Sequence, residues 1–572
     1  MNKLIQARPR VADDHLPTSL HPVIRQLYAT RGVASVEELD NSAKGLLDFR
    51  LFKDIDKACA LLSEALQAQA RVLVVGDFDA DGATSTALLM SGLPAFGFAQ
   101  VDYLVPDRFS LGYGLSPALA EHIIALQPEL VITVDNGISC IAGIAKVKAA
   151  GIRVLVTDHH LQGVELPDAD AIVNPNQRDC QFPSKSIAGV GVAFYLLVAL
   201  RNHLRQIGYF PAQGGPNLAE LLDLVALGTV ADVVALDANN RTLVYQGLAR
   251  IRSGQTRPGI KALIEVANRN AATLSASDFA FALAPRLNAA GRLDDMSLGI
   301  ACLLSVDDYQ ARRIAAELDS LNHERREIEQ GMQQEALAAL EKVLNSGSAV
   351  PDAVCLYQDD WHQGVIGILA GRLKELYHRP TIIFADGDEG EIKGSCRSID
   401  GLHMRDTLEL LNSQHPGLIV KFGGHAMAAG LTIRAEHFAH FKQVFVAEVS
   451  RNLSEEDKQS VVLTDGSLPT ECFSLDFAFL LQQAGPWGQK FPEPLFDDVF
   501  ELVQQRIVGD KHLKLVLKHP AGKLVDAIAF NVDLRAWPNS AARYARVVYQ
   551  LDSNEFRGKT SLQLLVREIQ AQ

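Results

Sequence analysis

Three short runs of apolar residues alternate with helical patterns in the first third of the chain. The runs are rich in β-branched residues and occupy residues 71–76, 129–134 and 153–157. Patterns typical of helices follow the first two runs, at 83–95 and 141–150, and helical patterns continue over 189–252. Short β-branched runs separated by helices are typical of a parallel sheet that helices cover on both faces. The first large domain is therefore predicted to be α/β.

Residues 307–345 form one long helical pattern without a proline and with a single glycine. Its apolar positions make a narrow stripe at helical spacing, formed by Ile314, Leu318, Leu321, Ile328 and Met332. One continuous helix here would be roughly 58 Å long at 1.5 Å per residue. Because such a helix cannot bury itself, we interpret it as a rigid connector between domains.

The apolar pattern changes again after the long helix. Strands are predicted at 353–358, 381–386 and 431–433, which indicates a second α/β region. Residues 452–485 form a predicted crossover. Beyond them, strands are predicted at 512–518, 525–530, 545–551 and 561–566, with a hairpin loop at 552–560. Short, closely spaced strands of this kind are compatible with a small β-barrel.

These patterns divide the chain into five predicted parts. They are an N-terminal segment (1–50), the first α/β domain (51–306), the connector helix (307–345), the second α/β domain (346–451) and a C-terminal domain with the barrel (452–572). The length of 572 residues fits this division, because domains usually contain about 100–200 residues.

Composition narrows the class of protein. Apolar residues make up 48% and charged residues 21%, as in ordinary globular proteins. No run approaches the ~18 apolar residues of a membrane span, and the first residues lack an apolar core, so we expect neither a membrane protein nor a secretory signal. The seven cysteines include no CxxC pair, which argues against a disulfide framework or a thiolate zinc site and fits a reducing cytoplasm.

The net charge of −14 counts against a broadly basic nucleic-acid-binding protein. It leaves room for a local basic track, because the electrostatic field depends on where the charges lie. Any binding of nucleic acid must therefore be argued from particular residues.

A polar cluster follows each of the three predicted strands. The clusters are Asp77, Asp79 and Asp81, then Asp135, and then Asp158, His159 and His160. In an open parallel sheet, ligands bind beyond the carboxyl ends of the strands. Several carboxylates brought together there would repel one another without bound cations. Oxygen and imidazole ligands without thiolates favour Mn²⁺ or Mg²⁺, and Asp232, after a later helix, is a further acid that would complete the site.

Each cluster taken alone has a simpler interpretation. A single acid after a strand is most often a helix N-cap or a turn residue, and a pair of histidines is more often structural. The first cluster also resembles the start of a calcium-binding loop, but no glutamate occupies the twelfth position that such a loop needs. Three clusters at successive strand ends are harder to explain as coincidence.

Several segments carry a family resemblance. DFDADG (77–82), VDNG (134–137), TDHH (157–160) and GTVAD (228–232) resemble, in this order, the four motifs of the DHH phosphoesterase superfamily. APRLNAAGR (284–292), GSCRS (394–398) and GGHAMAAG (423–430) resemble the DHHA1-type domain of the exonucleases in this superfamily. PWGQKFPEPLF (486–496) before the barrel resembles their OB domain. The resemblance implies a parallel-sheet DHH domain, a long connector helix, an α/β DHHA1 domain and a C-terminal OB-like barrel.

The resemblance also implies a role for each motif residue. The metal ligands would be Asp77, Asp79, Asp81, Asp135, His159 and Asp232, holding two Mn²⁺ or Mg²⁺ ions with Asp135 as the bridge. The catalytic residues would be Asp79, Asp81, Asp135, His159 and His160. His160 would face the scissile phosphate or support the ligands, and Asp158 would orient a histidine. Simpler phosphatases of the superfamily often have histidine where this chain has Asp77.

Glycines, hydroxyls and basic side chains in the later motifs are candidate substrate contacts. Glycine N–H groups without side-chain obstruction, and hydroxyls beside an arginine, suit phosphate oxygens. Each motif alone would be a turn or a solvated surface, so the resemblance carries this expectation. The candidates are Arg286, Asn288, Arg292, Ser395, Arg397, Gly424 and His425. His362 is a weaker candidate, and Trp361 is expected in the core.

The barrel offers further candidates for binding a single strand. They are the basic residues Lys511, Lys514 and Lys518 and the aromatic residues Phe530, Tyr549 and Phe556. Half or more of these aromatic residues should lie in the core. Base stacking beside a modest basic groove holds single strands without sequence preference. Because every expected metal ligand precedes Arg241, we expect residues 452–572 not to be needed for the chemistry.

The function implied by the resemblance is a single-stranded-DNA-specific exonuclease that acts 5′ to 3′, releases 5′-mononucleotides and serves DNA recombination and repair. The implied partners are single-strand DNA-binding protein and a RecQ-type helicase, and we expect a monomer. One alternative is a DHH-family phosphodiesterase acting on oligoribonucleotides or cyclic dinucleotides, against which the connector and barrel argue. The other is a non-catalytic replication or repair scaffold, against which the complete set of motif acids argues.

Overall fold

The structure is a computed structural model and describes residues 3–108, 111–345, 351–556 and 558–572. The chain folds as two compact units. The larger unit contains residues 8–322 and 465–572, and the smaller unit contains residues 1–7 and 323–464.

The described residues form seventeen α-helices and seventeen strands, numbered here in chain order. The helices are α1 Pro22–Thr30, α2 Ile55–Gln67, α3 Ala80–Phe96, α4 Pro117–Leu126, α5 Ile141–Ala149, α6 Gly189–Gln206, α7 Leu222–Ala231, α8 Ala238–Arg252, α9 Pro258–Val266, α10 Ala276–Asp278, α11 Ala284–Leu293, α12 Ser297–Leu304, α13 Asp308–Asn345, α14 Ile366–Tyr377, α15 Met404–Gln414, α16 Phe438–Asn452 and α17 Leu475–Gln483. The strands are β1 Leu4–Ala7, β2 Val72–Val75, β3 Val101–Leu104, β4 Leu130–Val134, β5 Arg153–Thr157, β6 Ala171–Val173, β7 Val354–Tyr357, β8 Thr381–Asp386, β9 Glu391–Arg397, β10 Lys421–Gly424, β11 Ala428–Arg434, β12 Val461–Thr464, β13 Phe496–Val508, β14 His512–Lys518, β15 Leu524–Ala529, β16 Tyr544–Phe556 and β17 Lys559–Ala571. None of these helices is both long enough and apolar enough to cross a membrane.

The larger unit contains a five-stranded parallel sheet in the order β3-β2-β4-β5-β6. Both faces of the sheet are buried, because Val72 and Val74 of β2 pack on one side and Leu73 and Val75 pack on the other. Burial on both faces explains why the strands are continuous apolar runs without alternation. The three runs are confirmed as β2, β4 and β5. The sequence analysis missed the strands at the two edges, β3 and β6, which are short and have no comparable run.

The smaller unit contains a mixed sheet in the order β10-β11-β9-β8-β7. Only β7 and β8 pair in parallel, and the other neighbours are antiparallel. Helices α15 and α16 contribute buried side chains to its core, among them Leu408 and Phe441. The two glycine-containing motifs at 394–398 and 423–430, which resemble turns in sequence, lie mostly within β9, β10 and β11.

A closed barrel of five strands, in the order β13-β14-β15-β17-β16, lies in the larger unit. The sequence analysis missed the long strand β13, because polar residues interrupt its apolar pattern. The hairpin loop predicted at 552–560 is wrong in extent. Residues up to Phe556 continue β16, and Phe556 pairs with Lys559 of β17. Both strands have thirteen residues.

Helix α13 confirms the long helix predicted between the domains, and its 38 residues would span roughly 57 Å. Its first turns are not a bare connector. Ala311, Ile314 and Leu318 are buried in the same core as the parallel sheet. The boundary between the two units falls within the helix, after Asn322.

The segment 486–496, which we call the strap, links α17 to the barrel. Its Trp487 and Phe491 are buried in the core of the parallel-sheet domain. The guanidinium of Arg31 lies 5.3 Å from the Trp487 ring centroid, and that of Arg241 lies 4.4 Å from the Phe491 ring centroid. A chain ending at Asn452 would therefore lack part of this core, and the expectation that residues 452–572 are not needed for the chemistry stays a prediction.

Candidate metal centre

The acid-bearing segments meet at the carboxyl edge of the parallel sheet. Strands β2, β4 and β5 are neighbours in the sheet. Asp77 follows β2 by two residues, whereas Asp135 and Asp158 follow β4 and β5 directly. The last segment comes from α7, where Asp232 is the helix C-cap. The order of the strands therefore explains why residues distant in sequence lie together.

Seven side chains form the cluster: Asp77, Asp79, Asp81, Asp135, His159, His160 and Asp232. Their possible ligand atoms fall into three groups, and within each group all atoms lie within 4.8 Å of one another. The groups are Asp77 with Asp79 and Asp135; Asp81 with His159 and Asp232; and Asp135 with His159 and His160. Asp135 therefore joins an acidic group to the histidines, as a ligand that bridges two ions would.

Helix N-termini orient two of the carboxylates. Asp79 is the N-cap of α3, and its Oδ1 accepts hydrogen bonds from the N–H groups of Asp81 and Gly82, both at 3.0 Å. Asp81 Oδ2 accepts the N–H of Gly189 at 2.6 Å, and Oδ1 accepts the N–H of Val190 at 3.0 Å. Unpaired N–H groups in the first turn of a helix favour negative charge at these positions.

Gly189 allows the start of α6 to approach the cluster closely. A Cβ at this position would lie 2.7 Å from the Asp135 Cβ and 2.8 Å from its Oδ1. Glycine therefore lets the N–H reach Asp81 while Asp135 keeps its place. The sequence analysis did not identify Gly189, because a glycine at the start of a helical region carries no chemical signal.

Four buried atoms of the cluster have no hydrogen-bond partner among the described residues: Asp77 Oδ1, Asp135 Oδ1, His159 Nε2 and Asp232 Oδ2. His159 Nε2 lies 3.0 Å from Asp135 Oδ1 and 3.4 Å from Asp232 Oδ2. Buried polar atoms are rarely left unpaired, and such a set points to an ion or water. Several carboxylate oxygens with one imidazole nitrogen suit Mn²⁺ or Mg²⁺, so the residues present fit divalent ions.

The pKa shifts of the cluster residues also indicate a site for cations. Burial, followed by repulsion from neighbouring carboxylates, raises the pKa of Asp77, Asp135 and Asp232 well above the usual range. The same two causes raise the pKa of Asp81 to about 7. Burial, with a contribution from His160, lowers the pKa of His159 to about 4. A neutral imidazole is the form that binds metal ions, and the carboxylates need a nearby positive charge to remain ionised together.

Asp158 is saturated by donors from the protein. Its Oδ2 accepts the N–H of Ile138 at 2.8 Å, and its Oδ1 accepts the N–H groups of His159 and His160 and lies 2.8 Å from His160 Nδ1. Burial acts to raise the pKa of Asp158, but the hydrogen bonds from His160 and the charges of His160 and His159 together outweigh it, and the pKa is lowered. Burial acts to lower the pKa of His160, yet Asp158 raises it to about 9. This geometry favours Asp158 as the residue that orients the histidines.

Two side chains from the segment after β3 join the cluster, although the sequence analysis did not identify them. The Tyr113 hydroxyl donates to the Asp135 carbonyl at 3.1 Å and lies 3.2 Å from His160 Nδ1. The Arg108 guanidinium lies 4.1 Å from the ring centroid of Phe78, and burial lowers the pKa of Arg108 although Asp77 acts in the opposite direction. A lone arginine and tyrosine in a loop resemble many surface residues in sequence, so only their placement distinguishes them.

The motif at 284–292 packs against the loop that carries Asp77 and Asp79. Asn288 Oδ1 accepts the N–H of Ala80 at 2.9 Å, at the start of α3. Arg286 is buried, and its guanidinium donates to Asp319 at 2.8 Å. For Arg286 and Asn288 this geometry favours a structural role over the predicted substrate contact, because both polar groups are engaged within the unit. Arg292 is partly exposed.

In the smaller unit, neighbouring strands bring four predicted substrate contacts together: Ser395, Arg397, Gly424 and His425. Ala428 of β11 pairs with Arg397 of β9, and its carbonyl accepts the N–H of His425 at 2.8 Å. Gly424 ends β10, on the other side of β11, with a φ of 138°. The sheet therefore places the two motifs side by side.

Arg397 has the environment of an anion-binding arginine. Its Nη1 donates to Ser395 Oγ at 3.3 Å and to the Cys396 carbonyl at 2.8 Å. Burial lowers the pKa of Arg397, and within the described ranges it forms no ion pair with a carboxylate. A Cβ on Gly367, in the first turn of α14, would lie 3.2 Å from Arg397 Nη2. The guanidinium therefore reaches a helix N-terminus, where anions are favoured.

The aromatic candidates of the barrel differ in exposure. Phe530 is 53% exposed, as a base-stacking side chain must be. Tyr549 is fully buried and its hydroxyl donates to Asp498, so its prediction as a stacking face is wrong, because its side chain faces the barrel interior. The side chain of Phe556 lies outside the described residues. Lys514 forms an ion pair within the barrel.

Three family models match the chain in order. They are described as "DHH family, N-terminal domain" at residues 71–229, "DHHA1 domain" at 350–451 and "RecJ OB domain" at 464–568. The first contains most of the cluster, the second contains Arg397, and the third contains the strap and the barrel.

Full-length relatives are similar to this chain. A protein of Salmonella typhimurium (strain LT2) is 55% identical, one of Escherichia coli (strain K12) is 54% identical, and the alignments cover 100% of each chain. Both are named "Single-stranded-DNA-specific exonuclease RecJ". The crystal structure of RecJ from Thermus thermophilus in complex with Mn²⁺ matches with a TM-score of 0.81 and 29% identity, over 99% of this chain and 80% of that one.

Proposed function

Because this chain belongs to the RecJ family of single-stranded-DNA-specific exonucleases, we propose that it hydrolyses single-stranded DNA from one end with two Mn²⁺ or Mg²⁺ ions. The observation that carries the proposal is the buried cluster in which Asp135 joins the acids after β2 to the histidines after β5. Its four unpartnered atoms are what a pair of bound cations would satisfy.

The groups of ligand atoms support an assignment of residues to the two ions. Asp77, Asp79 and Asp135 would hold one ion, and Asp81, His159 and Asp232 would hold the other, with Asp135 shared. Two such ions would supply the activation of a water molecule and the stabilisation of charge on the attacking and leaving oxygens.

The other residues of the cluster would keep the ligands and the substrate in place. Asp158 orients His159 and His160 through its hydrogen bonds, and Tyr113 fixes both the Asp135 backbone and the His160 ring. His160, partly exposed at this edge, would face the scissile phosphate. Hydrolysis would be an in-line displacement by water without a covalent enzyme intermediate.

The smaller unit would bind the phosphate at the end of the strand. Arg397 is half-buried without a carboxylate partner in the described ranges, Ser395 supplies a hydroxyl, and the N-terminus of α14 lies beside them. These groups suit a terminal phosphate. Membership of the RecJ family supports 5′-to-3′ action with release of 5′-mononucleotides, in DNA recombination and repair.

Family membership favours this function over the two alternatives. A phosphodiesterase for oligoribonucleotides or cyclic dinucleotides would not need the barrel, which the matched RecJ OB domain contains. A non-catalytic scaffold would not need the full set of seven cluster side chains, all of which are present and buried or half-buried.

Partners and surroundings form the finer part of the proposal. Single-strand DNA-binding protein and a RecQ-type helicase are the proposed partners, with the protein acting as a monomer. Its seven cysteines are all free thiols, which supports the reducing cytoplasm as its compartment. We also propose the domain limits 51–306, 307–345, 346–451 and 452–572, with the strap packed into the first of these.

The direct test of the function uses end-labelled DNA. In the presence of Mn²⁺ or Mg²⁺, we expect the protein to hydrolyse single-stranded DNA that carries a label at its 5′ or its 3′ end. The strand should shorten progressively from the 5′ end only, and a chelator should abolish the activity. Double-stranded blunt-ended DNA is the control and should persist. Full activity in excess chelator, or equal degradation of both substrates, would contradict the proposal.

Arg397→Ala tests the phosphate contact. Loss of a charge-assisted hydrogen bond to phosphate costs about 1.5–3 kcal/mol, so kcat/KM on 5′-phosphorylated single-stranded DNA should fall roughly 10- to 150-fold. Mn²⁺ binding should not change, because Arg397 is not a ligand. Arg451→Ala is the matched control, since Arg451 is exposed in the same unit and pairs with Glu448. An unchanged kcat/KM for Arg397→Ala would show that Arg397 does not contact the substrate phosphate.

A further inference from the structure

The residue that follows Asp232, Val233, has a strained backbone conformation. The N–H of Asp232 donates to the Gly228 carbonyl at 3.0 Å and so closes α7. Val233 follows with a φ of 59° and a side chain that is 62% exposed. This left-handed region is unfavourable for a β-branched residue, and such a residue persists there only when its surroundings hold it. Because the Val233 side chain is exposed, its burial does not stabilise this conformation.

Hydrogen bonds to the residues after Val233 stabilise its strained conformation. The Leu236 N–H donates to the Gln489 carbonyl of the strap at 2.9 Å. From α8, the Asn240 side chain donates to the Ala235 carbonyl at 2.8 Å, and Arg241 donates to the Leu236 carbonyl at 3.1 Å. The segment after Asp232 is thus fixed between α8 and the strap.

The strap presents the Gln489 carbonyl by means of a tight turn. Gly488 and Phe491 exchange two backbone hydrogen bonds, at 2.8 and 3.1 Å, around Gln489 and Lys490. Lys490 has a φ of 60° and an exposed side chain. Phe491 is buried below the Arg241 guanidinium, which anchors the turn against α8. The strap then continues directly into β13 of the barrel.

We propose that the strap is a positioning element for Asp232, so that a part of the chain outside the DHH motifs sets the geometry of the metal centre. This inference rests on the proposed function, because it assumes that Asp232 is a ligand. Without the Gln489 contact, Val233 would relax from its strained conformation. Asp232 closes α7 directly before it and would shift, and the 3.4 Å separation between Asp232 Oδ2 and His159 Nε2 would change.

A pair of substitutions at Lys490 isolates the shape of the turn. Lys490→Pro is incompatible with a φ of 60°, because proline fixes φ near about −65°. Lys490→Gly removes the same exposed side chain but tolerates the positive φ. Any difference between the two full-length variants therefore reports the backbone of the turn and not the lysine charge.

The decisive measurement is Mn²⁺ binding to the DNA-free protein by titration calorimetry. Residues that orient metal ligands typically change metal affinity by about 10–100-fold when they are altered, so Lys490→Pro should weaken Mn²⁺ binding about tenfold or more. Lys490→Gly should bind Mn²⁺ as the wild type does. The Kd for single-stranded DNA, measured in chelator, should be the same for both, and kcat of Lys490→Pro should recover at high Mn²⁺ concentration.

A folded Lys490→Pro variant with wild-type Mn²⁺ affinity would overturn the inference. If Lys490→Pro fails to fold, Gly488→Ala decides, because its added methyl would lie 2.7 Å from Leu236 Cδ1, so that either the Leu236 side chain or the turn that presents Gln489 must shift. Weakened Mn²⁺ binding by Gly488→Ala supports the inference, and unchanged binding overturns it. A wild-type protein that binds no Mn²⁺ would overturn the proposed function together with the inference. If the wild type binds Mn²⁺ and the variants bind it equally well, only the inference fails.

Discussion

Asp135→Ala should lower kcat on single-stranded DNA on the order of 10³-fold or more, the largest loss expected from any single substitution in this protein. Asp135 belongs to two of the three groups of possible ligand atoms, and its Oδ1 lies 3.0 Å from His159 Nε2. Removal of this carboxylate would disturb the sites of both ions, whereas the loss of Asp77 or Asp232 would disturb one.

The measurement is single-turnover hydrolysis of end-labelled DNA at saturating Mn²⁺, together with binding of single-stranded DNA in chelator. Binding should survive, since the proposed phosphate contacts lie in the other unit. Asp102→Ala is the matched control, because Asp102 is an exposed aspartate on the edge strand β3 of the same sheet. Near-normal turnover by folded Asp135→Ala would contradict the assignment of the metal centre.

Gly291→Ala should also give a large loss, although Gly291 is not a candidate ligand. A Cβ at this position would lie 1.8 Å from the Phe78 carbonyl oxygen, so either α11 or the loop that carries Asp77 and Asp79 must move. Overpacking of this kind costs about 1–3 kcal/mol of stability, and a displacement of about 1 Å at a catalytic group can cost about 10²-fold in rate. We expect both a lower Tm and a kcat/KM reduced about 10²-fold.

Gly331→Ala is the control for a glycine inside a helix. Gly331 lies in α13, and apart from its chain neighbours and the backbone of its own helix no atom of the described residues lies within 4 Å of the position where its Cβ would be. Alanine there should leave activity unchanged and stabilise the helix by about 0.5–1 kcal/mol. If Gly291→Ala kept wild-type kcat/KM, the packing of α11 against the acid-bearing loop would not determine the geometry of the centre.

The chemistry of the centre could be predicted from sequence because it follows local patterns. Each acid cluster comes directly after a continuous β-branched run, and a run buried on both faces is a strong signal of a parallel strand. Parallel strands present their carboxyl ends at one edge. The meeting of Asp77, Asp135 and His159 therefore followed from the order of short segments, without knowledge of any side-chain contact.

The sequence does not show which polar side chains are engaged in packing. Arg286 and Asn288 belong to a motif that resembles a binding site, yet the Arg286 guanidinium donates to Asp319 and Asn288 Oδ1 accepts the N–H of Ala80 at the start of α3. Tyr549 has the residue type of a stacking face but points into the barrel. Residue type gives the chemistry that a side chain can perform, whereas burial decides whether that side chain is available.

The sequence by itself determined the fold class, the long helix, the barrel and the acids of the candidate metal centre, because periodicity and motif spacing are local properties of the chain. Only the tertiary structure decided that Tyr113 and Gly189 belong beside those acids and that the strap reaches Leu236 from a distant part of the sequence. These contacts depend on which strands are neighbours and how closely helices approach them. Neither property is encoded in a local pattern, because both result from packing side chains distant in sequence into one core.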